Sequence, residues 1–308
     1  NLDDLLCVGI YKDILFSSSI DRNKNLIPGE VLKQIIEGTS EFFDKMSGYG
    51  IDITFQGGET ADVGDVVRTI AVNGTMAARW PKNKLITNEK IGPGNVIIGL
   101  SSSGRSVYEQ DYNSGIGSNG LTSARHDILS KHYKEDFPET YENSLSDDVV
   151  YIGKHDLSDS LTIKEGGKQY ETNIGKLILS PTRTFAPVLK QILEEHFENI
   201  FGLIHCSGGG QTKCMKYMPD NLKVVKDNLF EPPVIFNIIQ EASGADEREM
   251  YQVFNMGCRM EIYTNDKAAD DIINIAESFG IEARIIGRTE SYSKKELLIK
   301  TPVAEIVY

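Results

Sequence analysis

Apolar residues in this chain recur at two spacings, and the alternation between them lays out its elements. After Pro28-Gly29-Glu30, the residues Val31, Ile35, Phe42, Phe43 and Met46 return at intervals of three, four and seven. That period predicts one face of a helix, and Pro28 suits its start. A second helical stripe, Phe185, Val188, Leu189, Ile192, Leu193 and Phe197, follows Pro181-Thr182-Arg183. Short apolar runs bounded by Gly, Pro and Asn predict strands over 51–55, 69–77, 96–100, 200–205 and 222–225. Further helices are expected from Leu121, from Gln211 and over 234–242. The end of the chain reads β-α-β-β, with strands at 259–263, 283–287 and 296–300 around a helix over 266–279 that Gly280 closes. The stretch 134–175 is rich in Asp, Glu and Ser and weakly periodic, which predicts surface loop with short helices. No internal repeat interrupts this order, so the pattern predicts an α+β fold with mixed sheets.

A polar connector containing Pro81, Asn83 and Asn88 ends at Gly92-Pro93-Gly94 and marks the domain boundary. An N-terminal β-rich domain over 1–88 and a C-terminal domain over 89–308 follow, in keeping with a length of 308 residues. With 40% hydrophobic and 25% charged residues the composition is that of a folded protein rather than a disordered one. The charge changes the picture more. A net −13 and the lack of any Lys/Arg-rich run exclude a nucleic-acid partner. An anionic ligand would have to be received by backbone amides, a few local Arg or Lys residues, or a divalent metal held by carboxylates.

No apolar run approaches the ~18 residues of a membrane span, and no signal peptide is present. Cys7, Cys206, Cys214 and Cys258 form no C-x-x-C pair, so they read as reduced thiols of a cytoplasmic protein and not as a zinc site. The chain opens on Asn1 rather than Met and runs directly into Leu5-Leu6-Cys7-Val8, which reads as a chain whose beginning is missing.

Three glycine-rich turns each follow a predicted strand: Gly57-Gly58-Glu59-Thr60, Ser101-Ser102-Ser103-Gly104 with Gly117-Ser118-Asn119-Gly120, and Ser207-Gly208-Gly209-Gly210. Glycine lets a backbone approach a ligand, and amides at a following helix start favour phosphate. Each could equally be a plain turn. None matches a Walker loop or a dinucleotide fingerprint. Asp3, Asp4, Glu59, Asp62 and Asp65 lie beside the turns; they could hold a magnesium nucleotide or serve as caps and surface charge. His205 ends an apolar strand immediately before Cys206-Ser207-Gly208, a placement that suits either a site residue or a satisfied structural histidine.

Taken in order, these segments resemble aminoimidazole ribonucleotide synthetase, the phosphoribosylformylglycinamidine cyclo-ligase family. The matching motifs are Gly57-Gly58-Glu59-Thr60-Ala61-Asp62, Ser102-Ser103-Gly104 with Ser118-Asn119-Gly120, Ser180-Pro181-Thr182-Arg183, and His205 with Ser207-Gly208-Gly209-Gly210. Pro232-Pro233-Val234 and Glu249-Met250-Tyr251 with Phe254-Asn255-Met256-Gly257 complete the set. The resemblance implies an ATP-dependent ligase of purine biosynthesis. It implies a homodimer whose N-terminal domains build a shared barrel, with a sandwich-like C-terminal domain closing over the cleft. ATP and Mg²⁺ are the implied cofactors, and a small phosphorylated nucleotide is the implied substrate. Carried over by position, His205, Glu59 and Asn119 would be catalytic. Gly57, Gly58, Thr60, Ser118, Gly120, Arg183, Gly208, Gly209 and Gly210 would receive ATP or substrate phosphate, and Asp4 with Glu59 would hold the metal.

Three departures bear on this expectation. The family usually has His-Ser-Asn-Gly, and here Gly117 stands at that histidine, after an inserted tract from Tyr108 to Ile116. Ser17 falls where family members carry an aspartate, with Asp21 nearby. The family's glycine-rich, Lys-containing ATP loop is not seen because the sequence starts at Asn1, which reads as its removal with the missing beginning. A diverged relative acting on another acceptor, and a non-catalytic nucleotide-binding member, therefore stay open as readings.

Overall fold

The computed structural model describes residues 1–308, and the chain divides into two compact units. The first comprises 1–85 together with two later segments, 134–145 and 184–190. Its elements are α1 (Leu2–Leu6), β1 (Ile14–Arg22), α2 (Gly29–Ser47), β2 (Ile53–Asp62) and β3 (Ile70–Ala78). β1 is the central strand, parallel to β2 across the α2 crossover and antiparallel to β3. The predicted stripe on α2 places Phe43 against Phe16 of β1 at 5.0 Å and Phe55 of β2 at 6.3 Å between ring centroids. That aromatic trio seals one face of the sheet. The later segments are tied in locally: Phe185 N–H donates to the buried Asp3 carboxylate at 2.7 Å, and Arg68 meets Glu142 at 3.4 Å.

One sequence expectation is corrected in this unit. The Gly57-Gly58-Glu59-Thr60 segment is not a turn but the middle of β2. Partners run Phe16↔Phe55, then Ser18↔Gly58, so β2 fits two residues where β1 has one. The bulge falls at Gly57, at φ +92°. Gly58 is then required by contact, because a Cβ there would run into the carbonyl and hydroxyl of Ser18. The sheet of this single chain is three-stranded and open.

The second unit comprises 86–133, 146–183 and 191–308. In chain order its elements are β4 (Val96–Ser101), α3 (Leu121–Ile128) and, crossing the boundary between segments, α4 (His132–Asp136). These are followed by β5 (Ser160–Glu165), β6 (Lys168–Asn173), α5 (Ile174–Ile178), and α6 (Ala186–His196), which also spans a segment boundary. Then come β7 (Gly202–His205), β8 (Leu222–Lys226), α7 (Val234–Ser243), α8 (Glu247–Val253), β9 (Cys258–Thr264) and α9 (Asp266–Ser278), with β10 (Ala283–Ser291), β11 (Glu296–Lys300) and β12 (Glu305–Val307) closing the chain.

Seven strands form one mixed sheet in the order β12-β11-β8-β10-β4-β9-β7, in which only β11 and β8 run parallel. It is a single mixed sheet with helices, plus a separate β5–β6 hairpin, a mixed α/β arrangement. The hairpin corrects the loop expected over 134–175. Its two-residue turn is Gly166-Gly167, both at positive φ, which matches the twist of the flanking strands.

Inside the sheet lies a fully buried ion pair between Lys226 and Glu261. Burial opposes the ammonium charge, but the surrounding acidic groups, Cys214, Glu261 and Cys206, together outweigh it and the Lys226 pKa rises. Lys226 Nζ also donates to Gln211 O at 2.7 Å, while Glu261 accepts from Tyr263 Oη at 2.9 Å and from Cys206 Sγ at 3.3 Å. Burial, with Glu261 alongside, pushes the Cys206 thiol up, so it stays protonated and unreactive. No helix is long and apolar enough to cross a membrane. Replacing either partner alone, Lys226→Met or Glu261→Met, should lower unfolding free energy by about 3–5 kcal/mol, because one charge is left buried and unpaired. The double variant should lose less than either single change, as read by chemical denaturation.

Candidate functional site

In the N-terminal unit, alternation along β1 and β2 sets Glu59 on the face opposite the Phe16–Phe43–Phe55 cluster, paired in register with Ser19. Ser17, Ser19, Gln56, Glu59, Asn73 and Thr75 help line an open depression of about 440 Å³ there. Exposed oxygen donors around one carboxylate suit a hard cation carried by phosphates, and no group of three or more His, Cys, Asp and Glu side chains converges as a protein-only metal centre. Thr60 pairs with Ile20 and so turns to the other face from Glu59. Asp4 lies on α1, and Asn1 at the head of that helix donates to Gly74 O, with its amide beside the Phe16 ring.

In the C-terminal unit two of the candidate turns meet. Asn119 precedes α3 in the turn Gly117–Gly120, and Gly208 follows β7. A Cβ at Gly208 would lie 2.9 Å from Asn119 Nδ2, so the two turns abut. His205, half-buried, is the last residue of β7. Gly120 and Gly210 both back onto Phe254, which sets their spacing by packing. Gly209 sits at positive φ (+97°), and Lys213 Nζ donates to Ser207 Oγ at 2.7 Å, adding a cation that the sequence did not single out.

Asn255 ties the turns together. Its Oδ1 accepts from Ser102 Oγ at 2.8 Å and Gly257 N–H at 3.0 Å, and its Nδ2 donates to Gly115 O at 2.8 Å. Gln211 Nε2 donates to the carbonyls of Asn255 at 2.6 Å and Cys258 at 2.7 Å. The polar network around the buried ion pair therefore continues into the turn cluster.

Arg183 departs from its expected role at a phosphate. Its side chain is buried, its Nε and Nη2 donate to Glu109, and its Nη1 donates to the carbonyls of Ser101 at 3.0 Å and Ser103 at 2.7 Å. It clamps the Ser101–Gly104 turn from behind, its charge taken up by Glu109. Glu109 belongs to the inserted tract, which buttresses the same turn a second time: Tyr112 Oη and Ser103 Oγ each donate to Glu165 of β5 at 2.6 Å. A separate cavity of about 630 Å³, lined in part by Arg105, Tyr112, Tyr170 and Lys176, holds none of the catalytic candidates.

Burial pushes the Glu109 carboxyl up, but the hydrogen bonds and charge of Arg183 outweigh it and hold the group below its ordinary value of 4.5. A depressed carboxylate contributes stability that is present above the unfolded value and lost as pH falls through the folded one. The stability gap between wild type and Glu109→Gln should therefore be widest near neutrality and narrow below pH 4.5, as followed by denaturation at stepped pH.

Comparison with known proteins places this geometry. Residues 157–300 match the model of the AIR synthase related protein, C-terminal domain. A phosphoribosylformylglycinamidine cyclo-ligase of Methanocaldococcus jannaschii is 30% identical over 289 residues, covering 94% of this chain and 69% of that protein. The one from Bacillus thuringiensis (strain Al Hakam) is 29% identical over 237 residues, and the match covers 76% of this chain but 57% of the relative. Among solved structures, hydrogenase maturation protein HypE has a TM-score of 0.58 at 11% identity, over 99% of this chain and 78% of that one. T. maritima PurL complexed with ADP has a TM-score of 0.53 at 13% identity, over 99% of this chain and 37% of that one. At such identities the structural likenesses establish the fold.

Proposed function

Because the chain belongs to the phosphoribosylformylglycinamidine cyclo-ligase (AIR synthase) family, a family of ATP-dependent ligases, we propose that it closes the imidazole ring of aminoimidazole ribonucleotide from formylglycinamidine ribonucleotide in purine biosynthesis. ATP would transfer its terminal phosphoryl group to the formyl oxygen. The ring-forming nitrogen would then attack that carbon, and the carbon–oxygen bond would break to release phosphate. The observation that carries the reading is the meeting of the Asn119 and Gly208 turns, with His205 three residues before Gly208 at the end of β7, which supports a site for phosphorylated substrate.

In this reading Asn119 orients the substrate, His205 moves the proton or meets the phosphate, and Ser118 with the Gly208–Gly209 amides receives the anion. Glu59, with the Gly57-Gly58 bulge beside it, receives the nucleotide. Mg²⁺, where bound, would offset charge on the transferring phosphoryl group. A cytoplasmic homodimer belongs to this reading, as the family resemblance implies. A second reading is favoured by Gly117, which lacks the family's imidazole: the same frame with another phosphorylated or carbamoyl acceptor.

The full protein, supplied with Mg-ATP and formylglycinamidine ribonucleotide, should form aminoimidazole ribonucleotide in a coupled assay. Asn119→Ala and Glu59→Gln should each lower kcat/KM by roughly a hundredfold or more. Absence of product, with phosphate released on a carbamoyl acceptor, would select the second reading. Mg-ATP binding without turnover on any acceptor would overturn both.

A further inference from the structure

Gly117 stands where the family resemblance puts histidine, and the structure shows what occupies that space. Gly117 is buried at φ +67°, and a Cβ built on it would lie 2.5 Å from Nη2 and 2.9 Å from Cζ of Arg259. Any side chain at 117 would have to displace a guanidinium. Arg259 rises from β9, is 2% exposed, and donates from Nη2 to Gly115 O at 2.8 Å, the same oxygen that accepts from Asn255. Immediately beyond Gly117, Ser118 is exposed and Asn119 reaches Gly208. A guanidinium thus sits directly behind the turn that presents these two residues.

We infer that Arg259 takes the place of the missing imidazole as a positioning residue: it holds the Gly115–Gly120 turn and lends a fixed positive charge that favours a phosphorylated ligand at Ser118 and Asn119. The inference rests on reading this cluster as a phosphorylated-substrate site. A guanidinium suits the task because it stays protonated throughout the physiological range, and a buried charge is weakly screened by salt. It cannot take up a proton, so acid–base work stays with His205. In a chain of net charge −13, a cation behind the turn offsets repulsion that would otherwise oppose an anionic ligand. Gly117 and Arg259 are then one feature, each residue permitting the other.

A double-mutant cycle tests this on the full protein with Gly117→His, Arg259→Gly and their combination, alongside Arg259→Lys. Each is read by its unfolding midpoint, its Kd for ribose 5-phosphate and its KM and kcat. Histidine tolerates positive φ better than most side chains, so Gly117→His should fail chiefly through collision with Arg259, and the combination should recover its midpoint. Arg259→Gly should weaken ribose 5-phosphate by roughly tenfold or more. Arg259→Lys, which keeps the charge without the fork, should recover most of that affinity, and the loss should appear in KM rather than kcat. Additive effects in the cycle would overturn the proposal. So would unchanged affinity in Arg259→Gly, equal affinity loss in the Lys and Gly variants, or a wild type that does not bind the probe. A wild type that binds ribose 5-phosphate and obeys the cycle, but makes no aminoimidazole product, would retire the cyclo-ligase reading and leave the role of Arg259 standing.

Discussion

The buried ion pair between Lys226 and Glu261 sets the terms for the C-terminal unit. Two charges removed from water are tolerated only when their remaining hydrogen-bonding capacity is met inside the protein. Here the groups that meet it are not interchangeable core atoms. Gln211 supplies its carbonyl and side-chain oxygens to Lys226, and the same side chain donates to the carbonyls of Asn255 and Cys258. Asn255 in turn fixes Ser102 and Gly115. Satisfaction of the ion pair and placement of the candidate substrate turns are therefore one hydrogen-bond problem, solved by one connected set of side chains.

The N-terminal unit solves a different problem, that of a sheet whose two faces have different environments. Phe16, Phe43 and Phe55 seal one face by edge and tilted ring contacts, while serine, threonine, asparagine and Glu59 occupy the other. The Gly57 bulge shifts the alternation of β2 against β1, so that Glu59 comes into register with Ser19 on the polar face. Without the extra residue the carboxylate would turn toward the aromatic face, because one step in a strand reverses the side chain.

Helices α2, α6 and α9 were legible in the sequence because their apolar stripes span three or more turns. The middle of β2 was not, since a Gly-Gly pair signals a turn locally and only the close approach of Ser18 makes it a strand. The β5–β6 hairpin escaped because Ile163 is its one buried residue, so alternation is faint; Gly166-Gly167 was the available signal. At the candidate site, His205, Asn119 and Gly208 could be picked out from strand-to-turn placement. The burial of Arg183 could not, because its partner Glu109 lies 74 positions away. Arg259 was hidden for a similar reason: a lone arginine in an apolar strand acquires meaning only beside the glycine it excludes from growing a side chain.

The hydrogen bond from Phe185 N–H to Asp3 has a consequence for how the chain comes into being. It links positions 182 residues apart within one compact unit. During synthesis from the N-terminus, the first strands and α2 emerge early, yet the buried carboxylate of Asp3 has no amide to meet until residue 185 has left the ribosome. Much of the second unit's sequence, including β4 and the β5–β6 hairpin, is made in that interval. The first unit is therefore among the earliest begun and not among the earliest finished, and a cut after residue 85 would separate Asp3 from the amide that satisfies it.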